Sequence, residues 1–338
     1  MDIKTAIKKS GIIGFLNNYS TYIIAGHKEP DGDCVGSQLA LALFLQRLGK
    51  KTVLLSAGPF SRTEISGFEK WFSCNLDNHE FDEKNSAIIV LDCSSISRTG
   101  SIEKILPPSL DIAVIDHHAI GNKEEERTPK TSLVYPSAPA VTYIIQLIME
   151  SMQEEPNKEE AELLFFGLCT DTGYFRHLNE EAADVFHAAG RLVKAGASPK
   201  KAFEMMNGGK PFSSRKLIAE ILSRTQAYYD GQLLVSYVGL DDMEKYGLVS
   251  RDSDMVYQLL LTVAGMEVAV IVRQESTDNC SVGFRSKNKI DVAKIASAFG
   301  GGGHKLAAGL YIQGRMEDIK EKIIAVFEPV FCLKEQDS

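Results

Sequence analysis

With 338 residues the chain exceeds the usual single-domain size, so two domains are expected. Its 44% hydrophobic and 24% charged residues are those of a globular protein, and no apolar stretch is long enough to span a bilayer. The formal net charge of −8 speaks against extended nonspecific binding to long duplex DNA, which needs many cationic phosphate contacts.

Residues 4–18 carry the pattern of an amphipathic helix. The start of the chain lacks the apolar run and cleavage site of a signal peptide, so a cytoplasmic location is expected. Thr21-Tyr22-Ile23-Ile24 reads as a buried strand, and Val35 to Leu48 as a helix closed by Gly49. Thr52–Leu55, Ala87–Leu91 and Ile112–Ile115 are further buried strands. Such β-branched runs separated by helices predict an α/β fold with a mainly parallel sheet covered on both faces. Helices follow at 139–152 and 158–169, the second with a capping box of Asn157 and Glu160, although 163–169 also suits a strand. A helix over 180–195 ends at Gly196.

The glycines and prolines between 196 and 214 predict a partly helical linker. A catalytic domain over 1–195 and a second domain over 215–338 are expected on either side. The second domain, a smaller α/β module, begins with a hairpin around Asp230-Gly231. Strands at 268–273 and 280–285 follow, then a helix at 291–298, a glycine run, a strand near 308–312 and a final helix. Cys34, Cys74, Cys93, Cys169, Cys280 and Cys332 are scattered without a C-x-x-C pair, which predicts reduced, mostly buried thiols.

Acid and imidazole side chains gather at the ends of the predicted strands. His27, Asp31 and Asp33 follow the first, Asp92 ends the third, and Asp116-His117-His118 follows the fourth. That edge of an open parallel sheet is where ligands bind. Singly, these residues have ordinary readings: Asp31-Gly32 as a turn, Asp33 as a helix cap, His117-His118 as a surface pair. Together they form a metal-binding corner. Carboxylates and imidazoles without cysteine suit two divalent ions, Mn²⁺ first, with Mg²⁺ or Fe²⁺ as alternatives.

The chain closely resembles the DHH phosphoesterase family over nearly its whole length. His27-Lys28-Glu29-Pro30-Asp31-Gly32-Asp33 is similar to the family's first motif, Leu91-Asp92 to its second, Asp116-His117-His118 to its third, and Gly167 to Gly173 around Asp171 to its fourth. The resemblance implies that His27 and Asp31 hold one ion, that Asp33, His117 and Asp171 hold the other, and that Asp92 bridges them. Asp116 would orient an imidazole, and His118 would meet the scissile phosphate. Arg98 is a candidate substrate contact. Gly300–Gly309, with Arg285 upstream, looks like the family's associated substrate domain. There Gly301, Gly302, Gly303, His304 and Arg285 would grip phosphate, with the active site in a cleft between the domains. Arg176 and His177 are expected to start a solvated helix. Asp111, His79 and His187 are expected to be structural or surface residues.

Within the family, this short two-domain layout is similar to the nanoRNase/pAp-phosphatase group. That group degrades short single-stranded oligoribonucleotides from an end and removes the 3′-phosphate of 3′-phosphoadenosine 5′-phosphate (pAp). Cyclic-dinucleotide phosphodiesterase is the alternative. Exopolyphosphatase and a catalytically silent nucleotide-binding protein are weaker readings. No membrane partner is expected, and exposed apolar helix faces suit a homodimer.

Overall fold

The computed structural model describes residues 2–77, 79, 81–118, 128–247 and 252–332. The chain divides into two compact units, Met1–Gly209 and Lys210–Ser338. The first contains α1 (Ile3–Ser10), α2 (Ile12–Asn18), β1 (Thr21–Ala25), α3 (Gly32–Arg47), β2 (Lys51–Leu55), β3 (Ser86–Leu91), β4 (Asp111–Asp116) and β5 (Thr131–Val134). It continues with α4 (Val141–Ser151), α5 (Lys158–Asp171), α6 (Ala183–Lys194) and α7 (Pro199–Asn207).

All five strands run parallel in the order β2-β1-β3-β4-β5. Alternate residues serve opposite faces, as the strand pleat requires. Tyr22, Ile24, Ile89 and Ile115 face a core that includes residues of α3, α4 and α5, while Ile23, Ile88, Val90 and Val114 face Ile96, Ile102 and Leu106. Both faces are therefore buried, which is why these strands read as unbroken apolar runs. Full burial of one such side chain stabilises the fold by about 1.5–3 kcal/mol. Among the described residues, the second face is covered by the 3₁₀ segment Ile96–Ile105 and the residues after it, not by long helices.

Several boundaries differ from expectation for local reasons. The single helix over 4–18 is two, because Gly11 takes φ 77° between them. α3 starts earlier than expected, and its cap is Asp31: one carboxylate oxygen accepts the N–H groups of Asp33 and Cys34. Asn157 and Glu160 form the capping box, and 163–169 is helical. β5 had no counterpart in the sequence reading, since four residues give little periodicity.

The stretch expected to link the domains holds α7 in the first unit and the start of α8 in the second. Ser198 caps α7 and Pro199 sits in its first turn, where an N–H is dispensable, so this proline opens a helix.

The second unit contains α8 (Phe212–Ser223), β6 (Gln226–Tyr228), β7 (Leu233–Val238), α9 (Leu240–Tyr246), α10 (Ser253–Leu260), β8 (Val268–Ser276) and β9 (Asn279–Ser286). α11 (Val292–Ser297), β10 (Gly302–His304), β11 (Ala307–Gln313), α12 (Met316–Val326) and α13 (Glu328–Cys332) complete it. Its six strands run β10-β11-β9-β8-β7-β6, with β7–β8 parallel and the other pairs antiparallel. Val268, Val270 and Val272 face residues of α11 and α12, whereas Ala269 and Ile271 face residues of α8 and α10. No helix among the described residues is long and apolar enough to cross a membrane.

Candidate metal centre at the carboxyl edge of the parallel sheet

The strand ends of the first unit bring the predicted carboxylates and imidazoles together. β1 delivers His27, β3 ends at Asp92, and β4 ends at Asp116 before His117 and His118. Asp92 takes φ 58°, a conformation that aspartate tolerates better than most residues, while its N–H still donates to Ile115. This turn accompanies a carboxylate that is only 2% exposed.

The two oxygens of Asp92 address different partners. Oδ2 lies 3.4 Å from His27 Nε2, and Oδ1 lies 3.5 Å from His117 Nε2 and 3.7 Å from His118 Nδ1. His27 Nε2 is also 3.9 Å from Asp31, and His117 Nε2 is 3.2 Å from Asp171. Each ring is set from its other side. His27 Nδ1 pairs with the Lys28 carbonyl at 2.8 Å and His117 Nδ1 with the Ala138 carbonyl at 3.1 Å. Such outer contacts fix which nitrogen is left for a metal.

Asp33 arrives from α3 and Asp171 from the end of α5. The two helices approach closely through glycines: a Cβ on Gly36 would stand 2.8 Å from the Leu163 carbonyl oxygen, and one on Gly167 2.4 Å from Thr142 Cγ2 and 3.1 Å from Asp33 Oδ1. Asp33 is fully buried, and its carboxylate accepts the N–H groups of Val141 and Thr142 and the Thr142 hydroxyl. Ala140 gives α4 no side-chain cap, so Asp33 meets the donors of its first turn across the fold. The expected cap residue thus serves another helix, not its own.

The charges are crowded. Burial and the neighbouring Asp33 hold the Asp92 carboxyl well above its ordinary range. Burial, Asp33 and Asp31 push Asp171 up to about 8, and burial also raises Asp33. Burial opposes ionisation of Asp31 too, yet the His27 ring and the Cys34 N–H hold it down at about 2. Burial likewise opposes the charge on His27, but Asp31 and Asp92 outweigh it and raise its pKa. Three carboxyls that resist ionisation side by side form a site whose charge a cation would stabilise. The residues fit a divalent metal on a further ground: Asp92 Oδ1 is buried and without a hydrogen-bond partner. Among the described residues, three donor sets each have their ligand atoms within 4.8 Å of one another: His27, Cys34 and Asp92; Asp92, His117 and His118; Asp33, His117 and Asp171. Cys34 departs from the expected cysteine-free donor set.

Asp116 is fully buried and organises the His117-His118 turn. Its Oδ1 accepts the N–H of His117 at 2.7 Å and that of His118 at 3.1 Å, and pairs with His118 Nδ1 at 2.8 Å. The imidazole it orients is therefore that of His118, whose side chain is 43% exposed.

Arg98 is exposed on the 3₁₀ segment after β3, and its carbonyl accepts the Lys28 N–H, which ties two loops of this edge together. Arg176 and His177 do not begin a helix. They follow Gly173, Tyr174 and Phe175, all at positive φ, in a turn closing α5. Arg62, after β2, sits in no motif that marks it in the sequence, yet its charge favours ionised Asp31 and Asp171.

In the second unit, Gly302, Gly303 and His304 form the edge strand β10, with Gly301 just before it. A Cβ on Gly301 would lie 2.4 Å from the Gly309 carbonyl oxygen, so the run packs tightly on β11. In register, His304 opposes Ala307, and Ala307 opposes Arg285. Residues directly opposite share a sheet face, so His304 and Arg285 lie in one row two strand spacings apart, about 10 Å. The Arg285 guanidinium stacks 4.7 Å over Tyr257 and reaches Asp254 at 3.7 Å.

The model of the DHH family N-terminal domain matches residues 21–168, and that of the DHHA1 domain matches residues 230–329. The chain belongs to the DHH family of phosphoesterases. It is similar to the bifunctional oligoribonuclease and PAP phosphatase NrnA of Thermus thermophilus, at 27% identity over 86% of this chain and 84% of that protein. The Bacillus subtilis protein of the same name is 25% identical over 95% of this chain and 97% of its own. Among solved structures, an exopolyphosphatase-related protein from Bacteroides fragilis shares the fold with a TM-score of 0.81 at 22% identity, covering 97% of this chain and 98% of that one.

Proposed function

We propose that the chain is a metal-dependent phosphoesterase that hydrolyses short oligoribonucleotides from an end and removes the 3′-phosphate of pAp. The observation that carries this reading is the division of Asp92 between two clusters, Oδ2 toward His27 and Oδ1 toward His117 and His118. A carboxylate so placed suits a bridge between two divalent ions. The similarity to the two NrnA proteins supplies the substrate class.

His27, Asp31 and Asp92 would hold one ion, and Asp33, Asp92, His117 and Asp171 the other, with Mn²⁺ the expected metal. Such ions supply an acidified water near neutral pH and positive charge opposite the phosphate. Asp116 fixes the His118 ring by accepting its Nδ1–H, so that a ring carrying both protons would present Nε2–H to a phosphoryl or leaving-group oxygen. Asp33 stays in place through three donors of α4, so its carboxylate needs little reorganisation on binding. Arg285 and His304 are the proposed phosphate contacts of the second domain, and Arg98 is a further one in the first.

A panel of dinucleotide to pentanucleotide RNA, pAp, linear dinucleotide and cyclic dinucleotide, assayed with Mn²⁺, tests the reading through kcat/KM. Turnover of the short linear RNAs and pAp is expected. Turnover of a cyclic dinucleotide alone would assign the chain to the alternative activity.

A further inference from the structure

Cys34 stands one residue beyond Asp33, in the first turn of α3, and is fully buried. Its sulfur belongs to a donor group with a His27 ring nitrogen and an Asp92 oxygen, all within 4.8 Å of one another. Donors on opposite sides of one divalent ion lie about 4.4 Å apart when one is sulfur and the other nitrogen or oxygen, and adjacent donors lie closer. The 4.8 Å bound on this group is only slightly wider than that span, so its three donors are near the size of one ion's ligand shell.

Two further features bear on the sulfur. The Gln38 side-chain amide donates to it at 3.4 Å, the polarity that a sulfur acting as an electron-pair donor requires. Gly26, immediately before His27, leaves room for it: a Cβ there would lie 2.3 Å from Sγ. The other member of the group is Asp92, a buried carboxylate whose Oδ2 lies 3.4 Å from His27 Nε2.

We propose that Cys34 is a sulfur ligand of the ion held by His27 and Asp92, and that it shifts this half of the centre toward Zn²⁺, Co²⁺ or Fe²⁺. The other half, built from Asp33, His117 and Asp171, has only nitrogen and oxygen donors and keeps the preference for Mn²⁺. The centre is then chemically unsymmetrical. Coordination exchanges the thiol proton for the metal: Cys34–SH and M²⁺ give Cys34–S–M⁺ and one proton released to solvent. The inference rests on the metal-centre reading above.

The test is the absorption spectrum of the full-length protein, stripped of metal and loaded with Co²⁺. Visible d–d bands and equilibrium dialysis report binding, and a near-ultraviolet sulfur-to-cobalt charge-transfer band reports a thiolate ligand. The band is expected in the unaltered protein and in Cys93→Ala, and is expected to vanish in Cys34→Ala and Cys34→Ser. In parallel, Cys34→Ala should lower Zn²⁺ affinity by roughly tenfold or more while changing Mn²⁺ affinity by less than about threefold. Co²⁺ bound without the band in the unaltered protein overturns sulfur ligation and leaves the metal centre standing, as does a band that survives in Cys34→Ala. Absence of Co²⁺ binding overturns both. The unaltered protein alone can overturn sulfur ligation, whatever the folding of the variants, and the near-isosteric Cys34→Ser assigns the band to Cys34.

Discussion

The two units present their candidate functional groups in opposite ways. In the first, carboxylates are driven into the interior at a sheet edge, where Asp33 and Asp116 are fully buried and Asp92 nearly so. In the second, Gly302, Gly303 and His304 are exposed on an edge strand, and Arg285 is partly shielded by Tyr257. Burial raises the energy of a like-charged cluster until a cation or a proton arrives, whereas an exposed cation interacts with a passing anion at little cost to the fold. Substitutions in the first unit should therefore separate turnover from stability, and those in the second should act mainly on substrate affinity.

The sharpest way to break this contrast is Asp92→Ala. Loss of the proposed bridge should cut kcat by roughly a thousandfold or more, about 4 kcal/mol in barrier, while the metal-free protein keeps its circular dichroism and its melting temperature. Retained turnover would remove Asp92 from the mechanism, and a collapsed fold would show that the carboxylate is structural.

A smaller but more diagnostic effect is expected in the pH dependence of stability. Asp171 has its pKa raised to about 8, against an unfolded value near 3.8, so between these limits the native state binds more protons than the unfolded chain. Stability from this group is complete below about pH 4 and is lost as pH rises through about 8. The raised pKa of His27 acts in the same direction above its unfolded value of 6.5. The depressed Asp31, at about 2, matters only in stronger acid, where its contribution is lost as pH falls. Melting temperature of the metal-free protein should thus fall from pH 5 to 8.5 in this region's favour of protons over bare charge. Saturating Mn²⁺ should flatten the decline, because the metal takes the place of the protons. Equal slopes with and without metal would contradict the placing of these carboxylates around an ion.

The mildest change is expected from the second unit. Arg285→Ala should raise KM for a trinucleotide by about tenfold with kcat nearly unchanged, as for loss of one charge-assisted hydrogen bond. A fall in kcat at constant KM would mean that Arg285 acts on the reacting phosphate, and the contrast between the units would fail.

Much of the first unit was legible because its strands are buried on both faces. Tyr22–Ala25, Ala87–Leu91 and Ile112–Ile115 leave no polar position to blur the pattern, and the ligand-type residues stand directly after them. The second unit was less legible: α9 and α10 had no counterpart in the sequence reading, being short helices packed with α8 on one face of a mixed sheet. In sequence Cys34 reads as an ordinary buried thiol, since nothing local reveals that the helix turns its sulfur toward His27.

The sequence alone determined four strands of the parallel sheet and which residue types stand at their ends, because strand periodicity and strand-end positions are local properties. The strand order and β5 came from the tertiary structure. Only the tertiary structure decided how those residues divide their contacts. Asp31, not Asp33, caps α3; Asp33 crosses to the first turn of α4; Asp116 holds His118; and Asp92 turns one oxygen to each side. The Asp31 cap and the Asp116–His118 pair close over two or three residues, where several local geometries compete. The Asp33 and Asp92 contacts depend on how closely separate elements pack, through the glycine contacts between α3 and α5 and the pairing of β3 with β4, across distances that no local pattern spans.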